Sequence, residues 1–133
     1  MKKIDSIVLS GKETLPLIEG GKGIAISSGE SSGAWAKAGG VGTFSGVNAD
    51  SYDRNGNLIP QIYKGKTRSS RHRELIDFSV SGAIEQARIA RDIAGEKAPI
   101  HINILWEMAA AEEILTRTLE EASDIIDGVT CGA

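Results

Sequence analysis

The chain has 133 residues, 15 basic and 18 acidic, with a formal net charge of −3 and a pI near 5.4. This length suits one domain with a single modest core, and the acidic balance argues against nucleic acid or a membrane surface as partner. The single cysteine, Cys131, excludes an intrachain disulfide and a cysteine metal cluster, and no apolar stretch is long enough for a signal-peptide core or a membrane span. We therefore expect a cytoplasmic protein.

The N-terminal part of the chain predicts a hairpin-like lid followed by a strand and a glycine turn. Residues 4–9 are apolar and β-branched, and the Ser10-Gly11 pair would close this short strand. Residues 15–18 predict a buried strand, and the glycines of residues 20–23 then remove the β-carbons from the chain. Such a backbone can turn sharply and lie flat against a ligand, although a tight turn between strand and helix would explain the same glycines.

Residues 31–45 predict a short helix and a second strand. Ser31 or Ser32 can cap the helix and Gly39 can end it, with Trp35 and Ala38 facing inward. Residues 41–45 are β-rich and predict the second strand.

Residues 48–73 predict a long basic insertion loop. The segment holds turn-forming residues, one proline and six basic side chains, and it is longer than most connections in a compact α/β domain. Its basic residues can receive a phosphate or a thioester-carrier group. A solvated loop is the alternative.

The second half of the chain predicts helix, strand, helix and strand. Apolar residues recur at helical spacing from residue 74 to Gly95, with Gly82 as a potential break. Residues 100–105 alternate apolar and polar side chains, which predicts a strand with three isoleucines toward the helices and His101 and Asn103 on the other face. Residues 107–122 predict an amphipathic helix, and residues 125–131 a fourth strand.

This alternation is typical of a parallel α/β sheet. Four strands are half of an eight-stranded barrel, which needs roughly 250 residues. We therefore predict one domain over residues 1–133 with the fold of a parallel (βα) half-barrel, the first four strands of a TIM (βα)8 barrel.

Simple site motifs do not fit the chain. The Gly65-Lys66-Thr67 segment lacks the earlier glycine and the preceding strand of a P-loop. The two histidines, His72 and His101, lack the spacing of a helical zinc pair, so we expect no metal site. The candidate nucleophiles have no base at a diagnostic spacing; they are Lys22, Ser27, Ser28 and Cys131.

A family resemblance carries more information than these motifs. PLIEGGKG followed by SGAWAKAGGVGTFSG resembles the opening of the nitronate monooxygenase family, formerly called 2-nitropropane dioxygenases. IHINILWEM is similar to the third-strand segment of that family, and DGVTCGA to its fourth-strand loop. The resemblance implies an FMN-dependent TIM-barrel oxidoreductase that oxidises nitronates or reduces enoyl thioesters.

The resemblance also implies a set of cofactor-binding residues. The backbone of Gly20, Gly21, Lys22 and Gly23 would pass under the flavin ring, and Asn103 would hydrogen-bond its polar edge. Cys131, Gly132 and Ala133 would approach the flavin from a further loop. Lys22 replaces the methionine usual in the family, and it can either offset negative charge on a reduced flavin or point to solvent. Asn103 as a core amide and Cys131 as a small buried residue are the structural alternatives.

The resemblance places the catalytic histidine and the phosphate-binding loops beyond Ala133. We therefore expect a fragment or one part of a split barrel that is inactive alone and forms a homo-oligomer or associates with the missing half-barrel around a small-molecule substrate. Two alternatives stay open: a flavin-free TIM-barrel enzyme that binds a sugar phosphate, and a non-catalytic half-barrel that self-associates through its open strand edges.

Overall fold

The computed structural model describes residues 4–132, and Ala133, one of the predicted flavin neighbours, lies outside them. The described chain is a small α/β protein with five strands in two sheets and three helices. In chain order the elements are β1 (Ile7–Leu9), β2 (Lys12–Thr14), α1 (Gly29–Lys37), β3 (Gly42–Ser45), α2 (Arg68–Ala94), β4 (Ile100–Leu105), α3 (Ala111–Ala122) and β5 (Gly128–Gly132).

The two sheets differ in strand direction. β1 and β2 form an antiparallel hairpin, whose turn at Ser10 and Gly11 has positive φ at both residues, as two-residue hairpin turns require. β3, β4 and β5 form a parallel sheet in that order, with Ser45 opposite Asn103 and Asn103 opposite Thr130. The carboxyl ends of all three strands therefore lie at one edge.

The prediction of a four-stranded parallel half-barrel is wrong. The parallel sheet has three strands, and the remaining two form the separate hairpin. Residues 15–18, the predicted first strand, contribute only a single β-bridge between Ile18 and Val41. The cause is local. Pro16 has no N–H, and the N–H of Leu17 donates to the carbonyl of Leu15 at 2.7 Å, which forms a tight turn. Pairing with β3 is therefore possible only after this turn.

Helices cover one face of the parallel sheet. The side chains of Ile100, Ile102 and Ile104 are fully buried in the core with Phe44 and Ile114, as the alternation of β4 predicts. Helix α2 is continuous through Gly82 and begins at Arg68, six residues before the predicted start, because Thr67 and Ser70 form a capping box. The last six residues of the predicted insertion loop are therefore helical.

Helix α1 buries its small residues and not its large ones. Ser28 caps the helix, not Ser31 or Ser32, and both Trp35 and Ala38 are exposed, against prediction. A β-carbon on Gly33 would lie 2.8 Å from the carbonyl oxygen of Ala90, so the two helices approach too closely for a larger side chain. The buried stripe consists of Gly29, Ser32, Gly33 and Ala36.

Two further elements differ from prediction at their boundaries. Helix α3 begins at Ala111, four residues late, and β5 begins at Gly128, three residues late, because residues 107–110 and 123–125 form turns. None of the helices within residues 4–132 is long and apolar enough to cross a membrane.

Candidate functional site

The glycine loop reaches the carboxyl edge of the parallel sheet along β3. The N–H of Val41 donates to the carbonyl of Leu17 at 2.8 Å, and the N–H of Glu19 donates to the carbonyl of Val41 at 2.9 Å. These bonds align residues 17–19 parallel to β3, although too briefly for a strand. Gly20 therefore leaves the sheet at the edge where parallel α/β proteins bind ligands.

Side chains on both sides of the loop hold it in place. The Glu19 carboxylate accepts hydrogen bonds from the Thr43 backbone N–H at 3.0 Å and from the Ser31 hydroxyl at 3.2 Å. The backbone N–H of Lys22 donates to Oγ of Ser27 at 2.9 Å, and the carbonyl of Ser27 accepts from the Ser45 N–H at 2.8 Å. The loop is thus tied to α1 and to the end of β3.

Gly21 lies directly against the side chain of Asn103. A β-carbon on Gly21 would come within 2.7 Å of Oδ1 of Asn103 and closer still to its Cγ and Nδ2, so a larger residue would displace the Asn103 side chain from this position. The Asn103 side chain is half-buried, and no residue in the described range hydrogen-bonds its amide. A primary amide has two donor hydrogens and one acceptor oxygen. Asn103 therefore presents unused hydrogen-bonding groups beside a bare backbone.

Gly21 and Asn103 line a cavity of about 260 Å³ at the carboxyl edge. Its wall is mostly apolar, and none of its lining side chains is charged; the lining residues are Gly21, Gly23, Ile24, Ser45, Val47, Asn103, Leu105, Met108 and Gly132. We call it the ring cavity. Small-molecule sites commonly occupy roughly 300–1,000 Å³, so this volume suits a single planar ring system better than a whole nucleotide.

The structure separates the predicted cofactor-binding residues into two groups. Gly21, Gly23, Asn103 and Gly132 line the ring cavity. The other three do not: Gly20 and Lys22 are exposed and lie outside the lining, and Cys131 faces a different cavity of about 630 Å³ beside Leu115 and Trp106.

Cys131 is exposed, which contradicts the alternative that it is a small buried residue. Cys131 lies on β5, on the helix-facing side of the sheet, and Ile104 of β4 is its neighbour in register, whereas Asn103 points to the opposite face. Successive strand residues face opposite sides, so the Cys131 side chain points away from the ring cavity. Gly132 has no side chain, and its backbone lines both cavities.

Sequence reasoning missed Ser45 and Met108. Ser45 is buried and pairs in register with Asn103, and its hydroxyl donates to the carbonyl of Val47 at 3.2 Å, which holds the chain that leaves β3. Aligning the carboxyl ends of the second and third predicted strands would have identified it. Met108 lies in the turn after β4, where the predicted helix start concealed its role.

His101, two residues before Asn103 on the same face, does not reach the ring cavity. Its Nε2 lies 2.9 Å from the Ser10 hydroxyl, and its Nδ1 lies 3.4 Å from the Thr130 hydroxyl. Burial lowers the pKa of His101, and the nearby carboxylate of Asp127 opposes this only in part. The imidazole is therefore neutral at pH 7 and fastens the β1–β2 turn to the sheet.

No protein-family model and no curated protein matches this chain. The resemblance to nitronate monooxygenases therefore stays a prediction. Within residues 4–132, no group of three or more histidine, cysteine, aspartate or glutamate side chains could hold a metal ion.

The residues of the ring cavity fit part of a flavin. A planar ring needs a bare backbone on one side, hydrogen-bonding groups at its polar edge and apolar walls, which Gly21, Asn103 and Leu105 with Met108 offer. The phosphate of FMN needs cationic or backbone N–H partners. No cationic side chain is among the described residues that line this cavity.

Proposed function

We propose that the ring cavity binds the isoalloxazine ring of FMN and that the chain belongs to an FMN-dependent oxidoreductase of nitronate monooxygenase type. The observation that supports this proposal is the contact between Gly21 and the unpaired amide of Asn103 at the carboxyl edge. The Asn103 amide is only half-buried, so water reaches it in the free chain. A polar ring edge buried in the cavity without a partner would cost about 1–3 kcal/mol, and hydrogen bonds with this amide would avoid that cost.

Each part of the cavity has a distinct role in this proposal. The Asn103 amide orients the polar edge of the ring, and the backbone at Gly21 leaves room for its flat face. Leu105 and Met108 exclude water from the ring. Bound FMN would supply the capacity to accept and return hydride or electrons in nitronate oxidation or enoyl-thioester reduction. We assign no catalytic base, because neither His72 nor His101 lines the cavity.

The lining favours a planar ring over a phosphate group inside the ring cavity. A phosphate there would need cationic or backbone N–H partners, and no cationic side chain is in the lining. Lys22 is exposed and outside the lining, so we assign it no contact with the ring.

Titration of the purified chain with riboflavin and with FMN tests the proposal, since riboflavin carries the ring without the phosphate. We expect quenching of flavin fluorescence by the wild-type chain with both ligands. Asn103→Leu removes the amide at similar volume and should weaken riboflavin binding about 5- to 150-fold, the range that corresponds to 1–3 kcal/mol. Asn55→Leu, in the exposed part of the 48–67 segment, is the matched control.

Circular dichroism must show that both variants are folded. The proposal fails if the wild-type chain binds neither flavin at millimolar concentration, or if Asn103→Leu and Asn55→Leu bind riboflavin equally well.

A further inference from the structure

The first turns of α2 form a basic concavity. A depression of about 440 Å³ is lined by Tyr63, Arg68, Arg71, His72 and Leu75, and we call it the basic concavity. The four α2 residues lie at positions i, i+3, i+4 and i+7, so they share one face of the helix. An apolar and aromatic wall thus adjoins two guanidinium groups.

Charge is unevenly distributed along this acidic chain. Residues 64–74 contain five of its 15 basic residues and one of its 18 acidic residues, Glu74. The Glu74 carboxylate is already engaged, because it accepts hydrogen bonds from the backbone N–H groups of Lys64 and Gly65 at 3.0–3.1 Å. Arg73 pairs with Glu113 on α3. Among the described residues, no acidic side chain lines the basic concavity.

The two arginines that line the basic concavity have no carboxylate partner within residues 4–132. Nε of Arg71 donates to the carbonyl of Gly65 at 2.8 Å, which orients the guanidinium and leaves its terminal nitrogens for another acceptor. Arg68 lies in the first turn of α2, which contains no acidic residue. Cations near a helix N-terminus are unfavourable by about 0.3–1 kcal/mol each. The chain therefore carries a local positive charge that an anion would neutralise.

A chain of contacts connects the basic concavity to the ring cavity. The hydroxyl of Tyr63 donates to Oδ1 of Asn48 at 3.5 Å, and Asn48 directly follows Val47 of the ring cavity. The Tyr63 ring packs edge-to-face on Phe78 at 5.4 Å between centroids, which fixes its position. Residues 47–48 thus connect a lining residue of the ring cavity, Val47, with one of the basic concavity, Tyr63.

Helix length explains why the basic turns lie at the carboxyl edge. At 1.5 Å per residue the 27 residues of α2 span about 40 Å, whereas the six residues of β4 span about 20 Å. The core residues of α2 begin only at Ile76. Because α2 follows β3 and leads into β4, the excess length projects beyond the carboxyl edge.

We propose that the basic concavity binds a phosphate ester, with the phosphate on Arg68 and Arg71 and the organic part against Tyr63 and Leu75. Arginine guanidinium groups bind phosphate oxygens in bidentate fashion. Two guanidinium groups on one helix face therefore suit a single phosphate group. The phosphate can belong to a separate phosphorylated ligand or to FMN itself. The second assignment rests on the proposed function and departs from the resemblance, which assigns the FMN phosphate to other loops.

Titration calorimetry with inorganic phosphate and pyrophosphate tests the site, against sodium chloride at equal ionic strength. We expect saturable binding to the wild-type chain and at least a 10-fold loss of affinity in Arg68→Gln/Arg71→Gln. Arg54→Gln/Lys97→Gln removes the same charge from other exposed positions and should bind like wild type. Equal binding by the two double variants, or no binding by wild type, overturns the proposal.

Flavin titrations identify the source of the phosphate. If it is that of FMN, FMN binds more tightly than riboflavin, inorganic phosphate competes with FMN, and Arg68→Gln/Arg71→Gln removes the difference between the two flavins. If a separate ligand supplies it, the flavins bind equally and phosphate binds to the flavin-loaded chain. Should no flavin bind, the calorimetry still decides on the phosphate site, so the two proposals can fail independently.

A folding measurement tests the charge argument directly. Without phosphate, Arg68→Gln should leave the melting temperature unchanged or raise it, since it removes a cation from the first turn of α2. A lower melting temperature without phosphate would contradict the argument that this charge is uncompensated.

Discussion

Gly82→Ala places two physical effects in opposition. Gly82 lies in the interior of α2, where alanine is about 1 kcal/mol more favourable than glycine. A β-carbon there would come within 2.5 Å of the carbonyl carbon of Ala49 and closer to its oxygen. The obstacle is backbone and not the end of a flexible side chain, so the segment around Ala49 must move away from the helix.

Moving that segment breaks two hydrogen bonds on either side of Gly82. The Asn48 N–H donates to the Ser79 hydroxyl at 2.9 Å, and the Gln86 amide donates to the carbonyl of Asp50 at 2.6 Å. Each lost bond costs about 1 kcal/mol, and overpacking costs about 1–3 kcal/mol. After the gain of about 1 kcal/mol in helix propensity, we expect Gly82→Ala to destabilise the fold by about 3 kcal/mol.

Thermal unfolding followed by circular dichroism measures this loss. For a chain of this size, 3 kcal/mol corresponds to a decrease of about 10 °C in the melting temperature. Ser81→Ala, at the neighbouring exposed position, should change stability by no more than about 0.5 kcal/mol. A Gly82→Ala variant as stable as wild type would refute the docking of residues 48–50 on α2.

Two further predictions concern charge at the opposite end of the sheet. Burial lowers the pKa of His101 below its ordinary value of 6.5, so the unfolded chain binds the proton more tightly than the folded chain. The free energy of unfolding measured in urea should therefore fall as the pH drops below about 6.5. The variant His101→Gln should remove this pH dependence. Burial alone would raise the pKa of Asp127, but hydrogen bonds from Lys12, the Ile100 N–H and Arg91 outweigh burial and lower the pKa below 3.8. The contribution of Asp127 to the free energy of unfolding is therefore complete above pH 3.8 and is lost as the pH falls further. At pH 7, Asp127→Ala should cost about 3 kcal/mol in the same assay, because it leaves two largely buried cations unpaired; a cost below 1 kcal/mol would contradict this network.

The sequence predicted the elements that pack in a regular parallel sheet under helices. The alternation in β4 identifies both its bounds and its buried face, because a parallel strand under helices has one apolar side. The contact between Gly21 and Asn103 follows from placing both residues at the carboxyl edge. The residues that complete the ring cavity could not be predicted, because Ile24 and Met108 reach it from irregular segments.

The errors share a physical cause, which is that backbone contacts overrode side-chain hydropathy. In α1 the hydrophobic pattern favoured Trp35 as a buried residue, yet close packing on α2 selects Gly29 and Gly33 for that face. At residues 15–18 the apolar run predicted a strand, but the turn at Pro16 limits it to a single bridge. With residues 15–18 as an additional strand, the pattern predicted a four-stranded half-barrel that the chain does not form.

Residues 47–50 connect the stability of the fold to both proposed sites. Val47 lines the ring cavity, Asn48 binds the Tyr63 hydroxyl at the basic concavity, and Ala49 packs on Gly82. A change at Asn103 alters one site only, and a change at Arg68 the other, whereas displacement of residues 47–50 must disturb both. The close approach of this segment to Gly82 is therefore the physical feature on which a shared ligand, with its ring in one cavity and its phosphate in the other, would depend.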